Sequence, residues 1–294
     1  MPPPPIRLTY LRKKRGGRLN HVATFVQQCD ARVRADAEWI MEHTLQAFDE
    51  AVETEFSFVG STTLGQTPCV VKMMERGVMA KKEINALEWF RTHPYRHIVQ
   101  GICHFNCRDS TIRWQSRLPA PQPFCGSGSG NTETEMTIIV QEYIPGGDLE
   151  TTNVVWTKSL WKSLFFQLTF ACFEFYEMGF TFGDWNFGNI LMDTTDEIET
   201  CYRVFGKNKR VKTEGICPVL TDFARSIFFQ KEARVLEHLT DNLGILWGLL
   251  RHKCPVTEWK PWLNEKSIEI GQSMSKTAIQ RVLHEVQSYM TLND

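Results

Sequence analysis

The apolar residues of this chain change rhythm near its middle, and that change limits the folds open to it. Up to Tyr143 they come in short runs: residues 56–60, Cys69-Val70-Val71-Lys72-Met73-Met74, residues 98–105, residues 111–114, and Thr137-Ile138-Ile139-Val140-Gln141-Glu142-Tyr143. Runs of that length bounded by turn residues make strands. One helical stretch interrupts them over residues 80–92, with Ile84, Leu87 and Phe90 about a turn apart and His93-Pro94 as its stop. After Pro145-Gly146-Gly147 the spacing becomes helical. Leu160, Leu164, Leu168, Cys172 and Phe175 share a face, and Gly179 stands where a C-cap glycine belongs. Residues 243–250, then Ile279, Leu283, Val286 and Met290, continue the pattern. Strands with one helix followed mostly by helices predict an α+β chain in two unequal layers, with no internal repeat.

A length of 294 residues suits two lobes or one large domain. The division expected is a Pro-rich, basic tail over 1–30, a β-rich unit over 31–144, and a helical unit over 145–294. Residues 31–50 read as a helix, with Trp39, Ile40, His43, Leu45 and Phe48 near one face. Thr63-Leu64-Gly65-Gln66-Thr67-Pro68 is turn chemistry and predicts a hairpin. The stretch near 117–135, rich in Pro, Gly and Ser, has little to bury and reads as a flexible insertion.

The net charge of −1 points away from a bulk polyanion, so nucleic acid is not an expected partner. Arg12, Lys13, Lys14, Arg15 and Arg18 form a basic segment that suits a solvated tail or a nuclear-import signal. Nine scattered cysteines, without a signal-peptide pattern, predict free thiols in a reducing compartment, nucleus or cytoplasm. No run approaches the ~18 apolar residues a membrane span needs, so no membrane partner is expected. Cys103-His104-Phe105-Asn106-Cys107 lacks the second ligand pair of a zinc site.

The chemistry-bearing residues stand at the change of rhythm. In Phe182-Gly183-Asp184-Trp185-Asn186-Phe187-Gly188-Asn189, the residues from Asp184 to Asn189 are a polar loop wedged between apolar segments. Two short apolar strands follow, residues 190–192 and 218–220, with a charged connection able to form a hairpin. The second strand ends at Thr221-Asp222-Phe223-Ala224. In this order the chain resembles the protein-kinase superfamily over about residues 54–250. The loop is closest to the variant catalytic loop of atypical kinases such as haspin, of kinases of large DNA viruses, and of aminoglycoside or choline kinases.

The resemblance implies a bilobal fold with a β-rich N-lobe and a helical C-lobe, using ATP and Mg²⁺. It makes Lys72 the strand lysine that holds the α- and β-phosphates, and Glu83 its ion-pair partner. Gln141, Glu142 and Tyr143 become the hinge beside the adenine. Asp184 becomes the catalytic base, Asn189 and Asp222 the metal ligands, and Asp241 the buried aspartate that supports the catalytic loop. The residue types suit phosphoryl transfer, which is mostly positioning and charge neutralisation. Mg²⁺ wants oxygen ligands, and a carboxylate can orient or accept the proton of an attacking hydroxyl.

The chain also departs from the family. No Gly-rich loop precedes Lys72, and Asp49, Glu50, Glu53 and Glu55 occupy that region. Phe182 and Gly183 replace the usual His-Arg, and Ala224 replaces a glycine. Only about twenty residues separate Asp222 from Asp241, so the platform for a peptide is short. The expectation is a Ser/Thr protein kinase with a protein substrate. A pseudokinase scaffold and a small-molecule kinase are the alternatives.

Overall fold

The computed structural model describes residues 50–53, 57–64, 67–109, 134–229 and 232–292. The expected tail, the basic segment, the helix over 31–49, the strand at 111–114 and the Pro- and Gly-rich stretch up to residue 133 lie outside them. The described residues form an α+β structure. The chain divides after Tyr143 into two compact units, Met1–Tyr143 and Ile144–Asp294. The boundary expected from the sequence lies one residue later.

The first unit is built on a five-stranded antiparallel sheet among the described residues, in the order β1-β2-β3-β5-β4. The strands are β1 (Glu50–Glu53), β2 (Ser57–Leu64), β3 (Thr67–Glu75), β4 (Gly101–Asp109) and β5 (Thr134–Glu142). One helix, α1 (Val78–Thr92), follows β3. Glu50 opens a strand instead of closing a helix. Glu-Ala-Val-Glu has no period of two, and pairing with β2, from Glu50↔Ser61 to Glu53↔Phe58, decides its state. Of the turn expected at 63–68, Thr63, Leu64, Thr67 and Pro68 are strand instead, because β2 and β3 stay paired up to Leu64↔Thr67; residues 65–66 lie outside the described residues.

Strand β4 starts at Gly101, later than expected. Ile98, Val99 and Gln100 are buried outside it, and Glu142 N and the Gln100 carbonyl are joined at 3.0 Å. Central β3 is covered on both faces: Val71, Lys72, Met73 and Met74 are all buried. Helix α1 buries Ala80, Glu83, Ala86, Leu87 and Phe90, so a carboxylate lies within its apolar stripe, while Ile84 is half-buried. The helix stops as expected, with His93 N donating to the Trp89 carbonyl.

In the second unit α2 (Lys158–Glu177) is buried along most of its length. Thr157 caps its N-terminus, Oγ1 accepting from Leu160 N at 3.2 Å. Gly179 follows the Met178 C-cap at φ +71°. Then come β6 (Phe180–Thr181), a 3-10 turn at Phe187–Asn189, β7 (Ile190–Thr194), β8 (Glu199–Val204), β9 (Lys207–Lys212), β10 (Ile216–Leu220) and β11 (Ile227–Phe228). Helices α3 (Glu232–Leu250), α4 (Trp259–Gly271) and α5 (Lys276–Leu292) close the chain. Strands β7 and β10 pair antiparallel, and β8 and β9 form a second hairpin within their connection.

Helices α2 and α3 are pinned by two indoles. Trp247 Nε1 donates to Thr169 Oγ1 at 2.9 Å, and Trp161 Nε1 donates to the Leu250 carbonyl at 3.1 Å. No helix among the described residues is long and apolar enough to cross a membrane.

Candidate active site

In the first unit, the alternation of β3 and the helical stripe of α1 bring two opposite charges together. Lys72 Nζ lies 2.7 Å from Glu83 Oε2, with the lysine side chain 6% and the glutamate 0% exposed. Gln141 Nε2 donates to the other oxygen, Glu83 Oε1, at 3.2 Å. Lys72 faces Ile139 across the ladder and Gln141 is two residues further along β5, so all three groups lie on one side of the sheet. Desolvating such a pair costs about as much as its attraction returns, so its net contribution to stability is small.

The segment expected to flank an adenine is mostly committed to the protein. Gln141 braces Glu83, and Glu142 Oε1 accepts from Gln100 N at 2.8 Å. Both residues are buried, and Tyr143 alone of the three is exposed.

In the second unit the β7–β10 register brings Asp222 to Asn189. Leu220 pairs with Ile190, and Thr221 N donates to the Asn189 carbonyl at 3.1 Å, so Asp222 leaves β10 beside Asn189. The Asn189 amide nitrogen donates to both the carbonyl and the Oδ2 of Asp184, each at 3.1 Å. Asn186 Oδ1 caps the turn by accepting from Asn189 N at 3.0 Å. Asp222 has φ +61°, a left-handed conformation uncommon for a non-glycine residue, and its Oδ1 accepts from Ala224 N at 3.3 Å. Strained backbone of this kind clusters at functional sites.

The loop is held from behind by contacts that sequence reasoning missed. Asn242 of α3 is buried. Its Oδ1 accepts from Trp185 Nε1 at 2.5 Å and Gly183 N at 3.4 Å, and its Nδ2 donates to Thr181 Oγ1 and the His238 carbonyl, each at 2.7 Å. Asp241, expected in this supporting role, is exposed instead. One residue is about 100° of helix rotation, and the inward stripe runs through Leu239, Asn242, Leu243, Leu246 and Leu250. The available signal was a polar residue within that apolar stripe.

Phe182, where a kinase has histidine, is buried. It packs edge-on against Trp185 and Phe223 at 4.9 and 5.8 Å between ring centroids, tying the loop to the segment after Asp222. Gly183 has φ +79°, and a Cβ there would lie 2.6 Å from the Arg225 carbonyl oxygen. Only glycine combines that conformation with so close an approach. Arg225 Nη1 in turn lies 3.4 Å from Asp184 Oδ1.

The donor chemistry fits a hard cation. Asn189 presents its amide nitrogen to Asp184, and its Oδ1 accepts no hydrogen bond among the described residues, with the Asp222 carboxylate following from the paired strand. No group of three or more His, Cys, Asp or Glu gathers as a metal cage among the described residues. Mg²⁺ bound with nucleotide phosphates needs only one or two protein carboxylates. His104 of the Cys-His-Phe-Asn-Cys segment instead pairs with Glu88 at 2.8 Å. No protein-family model matches the chain, and no curated protein matches it.

Proposed function

We propose that this chain is a divergent, bilobal kinase-like phosphotransferase that moves the γ-phosphate of ATP, with Mg²⁺, to a Ser or Thr hydroxyl of a protein. The observation that carries the reading is the β7–β10 register, which delivers Asp222 beside Asn189 while Asn189 holds Asp184. The buried Lys72–Glu83 pair supports it, since a lysine held by a carboxylate is a fixed point charge for phosphate oxygens.

In this reading Asn189 and Asp222 would hold the metal. Mg²⁺ would neutralise charge on the phosphates. Asp184 orients the acceptor hydroxyl and takes its proton as the oxygen bonds to the γ-phosphorus and the bond to the β-phosphate oxygen breaks, releasing ADP. Asn242 and the Phe182–Trp185–Phe223 cluster keep Asp184 in place.

One feature favours a second reading, a nucleotide-free scaffold. In sequence, Thr54-Glu55-Phe56 between β1 and β2 carries an acid and no glycine, whereas the turns that cradle phosphates with backbone N–H groups are rich in glycine. A thermal shift with ATP and Mg²⁺, followed by radiolabelled phosphate transfer to protein and small-alcohol acceptors, separates the readings. The kinase predicts a metal-dependent shift and transfer to protein. The scaffold predicts neither, and transfer to small alcohols alone would make the chain a small-molecule kinase.

A further inference from the structure

Both oxygens of the candidate base are already engaged. Oδ2 accepts from the Asn189 amide at 3.1 Å, and Oδ1 faces Arg225 Nη1 at 3.4 Å. These two contacts differ in kind. Asn189 is held at both ends by the capped turn and the strand ladder. The Arg225 side chain is 61% exposed, and its contact is at the long limit of a hydrogen bond. Exposed pairs of that sort are weak and open readily.

The placement of Arg225 is nonetheless built into the backbone. β11 pairs with β6 through Ile227↔Thr181 and Phe228↔Phe180. Carrying that register back two residues sets Arg225 opposite Gly183, next to Asp184. The missing Cβ of Gly183 lets the Arg225 carbonyl approach, and Ser226 locks the turn, its N and Oγ donating to the Phe223 carbonyl at 2.9 and 2.7 Å. Among the described residues the Arg225 guanidinium makes no other hydrogen bond or ion pair, leaving most of its five N–H donors unspent. A second cation, Lys253, stands over the Phe187 ring of the same loop, Nζ 5.1 Å from its centroid.

We infer that Arg225 is a specificity latch on Asp184: it selects acceptor hydroxyls flanked by Asp or Glu in a protein segment, and that flanking carboxylate draws the guanidinium off Oδ1. The inference rests on the phosphotransferase reading and adds the substrate class. While Arg225 covers Oδ1, the base is less able to take a hydroxyl proton. A carboxylate beside the acceptor offers the guanidinium a bidentate partner in place of a long single contact. Substrate recognition and release of the base are then one event.

The test uses the full chain with Mg²⁺ and ATP on matched Ser peptides whose flanking residues are acidic, neutral, basic or phosphoserine. Wild type should prefer acidic over neutral flanks by about ten- to a hundredfold in kcat/KM, the scale of a charge-assisted hydrogen bond. Arg225→Ala should remove the preference and raise transfer to the neutral peptide, and Arg225→Lys should keep part of the preference. A purely structural arginine would not change that ratio. Transfer without acidic preference, or a preference that survives in Arg225→Ala, overturns the latch while leaving the kinase reading intact. A gain from phosphoserine with none from carboxylates overturns the acidic-segment assignment. If no peptide accepts phosphate and Mg²⁺-ATP leaves melting unchanged, the phosphotransferase reading falls and takes the latch with it.

Discussion

Replacing Asn242 with alanine tests whether α3 holds the Asp184 loop. The side chain makes four hydrogen bonds from a residue only 8% exposed. The His238 carbonyl has the helix ladder to fall back on, and the Gly183 contact is already long. The substantial losses are therefore Trp185 Nε1 and Thr181 Oγ1, both on buried residues. Leaving a buried polar group without a partner costs about 1–3 kcal/mol, so Asn242→Ala should destabilise the second unit by about 2–5 kcal/mol. For a unit of this size that lowers Tm by on the order of 10 °C.

Asn242→Asp keeps the acceptor for Trp185, and the Thr181 hydroxyl can turn its hydrogen toward the new oxygen. It also sets a carboxylate against the His238 carbonyl. Its deficit at neutral pH should shrink as the buffer is acidified, because a protonated aspartate can donate where the asparagine did. Thermal melts and urea titrations of both variants, with exposed Asp241→Ala as control within about 0.5 kcal/mol of wild type, read these effects. An Asn242→Ala variant that melts with wild type while Asp241→Ala loses stability would refute the assignment of the support to Asn242.

The remaining expectations address the loop and the ion pair. Gly183→Ala should cost about 1–2 kcal/mol from the left-handed backbone alone, and more from the clash with the Arg225 carbonyl, giving a lower Tm and lost transfer; a normal Tm would show that the loop relaxes without cost. Lys72→Met leaves Glu83 buried without its cation, a loss of about 3–5 kcal/mol at neutral pH. Protonation of Glu83 relieves that cost, so the deficit should shrink in acid, and Lys72→Met/Glu83→Gln should recover much of it; melts across pH that run parallel to wild type would argue against a buried charge. Asp184→Asn should leave melting nearly unchanged and cut transfer by about 10²–10⁴-fold; equal, metal-independent rates in mutant and wild type would remove the enzyme claim.

Much of the candidate site could be read in the sequence because its residues interrupt strong local patterns. Glu83 is an exception, reached only through the family resemblance: the helix face expected was Ile84, Leu87 and Phe90, whereas the folded helix buries Ala80, Glu83, Ala86, Leu87 and Phe90 and leaves Ile84 half-buried. Asp184 to Asn189 breaks an apolar run between a long helix and two short strands, and β7 and β10 form where residues 190–192 and 218–220 predicted them. Other contacts had no local signature. Gln141 reads as a hinge residue, but its amide turns to Glu83 because β3 and β5 set it diagonal to Lys72.

The sequence alone determined the α+β order of elements, the helix over residues 80–92, and the polar loop carrying Asp184 and Asn189. These depend on periodicity and turn chemistry within a few residues, which the chain carries wherever it folds. Tertiary structure alone decided that Asn242 meets Trp185 and Thr181, that Glu50 joins a strand, and that Arg225 lies over Asp184. The first depends on which way α3 is turned against β6, the second on a partner strand, and the third on a ladder between two strands of two residues each. Pairings between distant segments leave no period in either one, so only the folded chain brings those residues together.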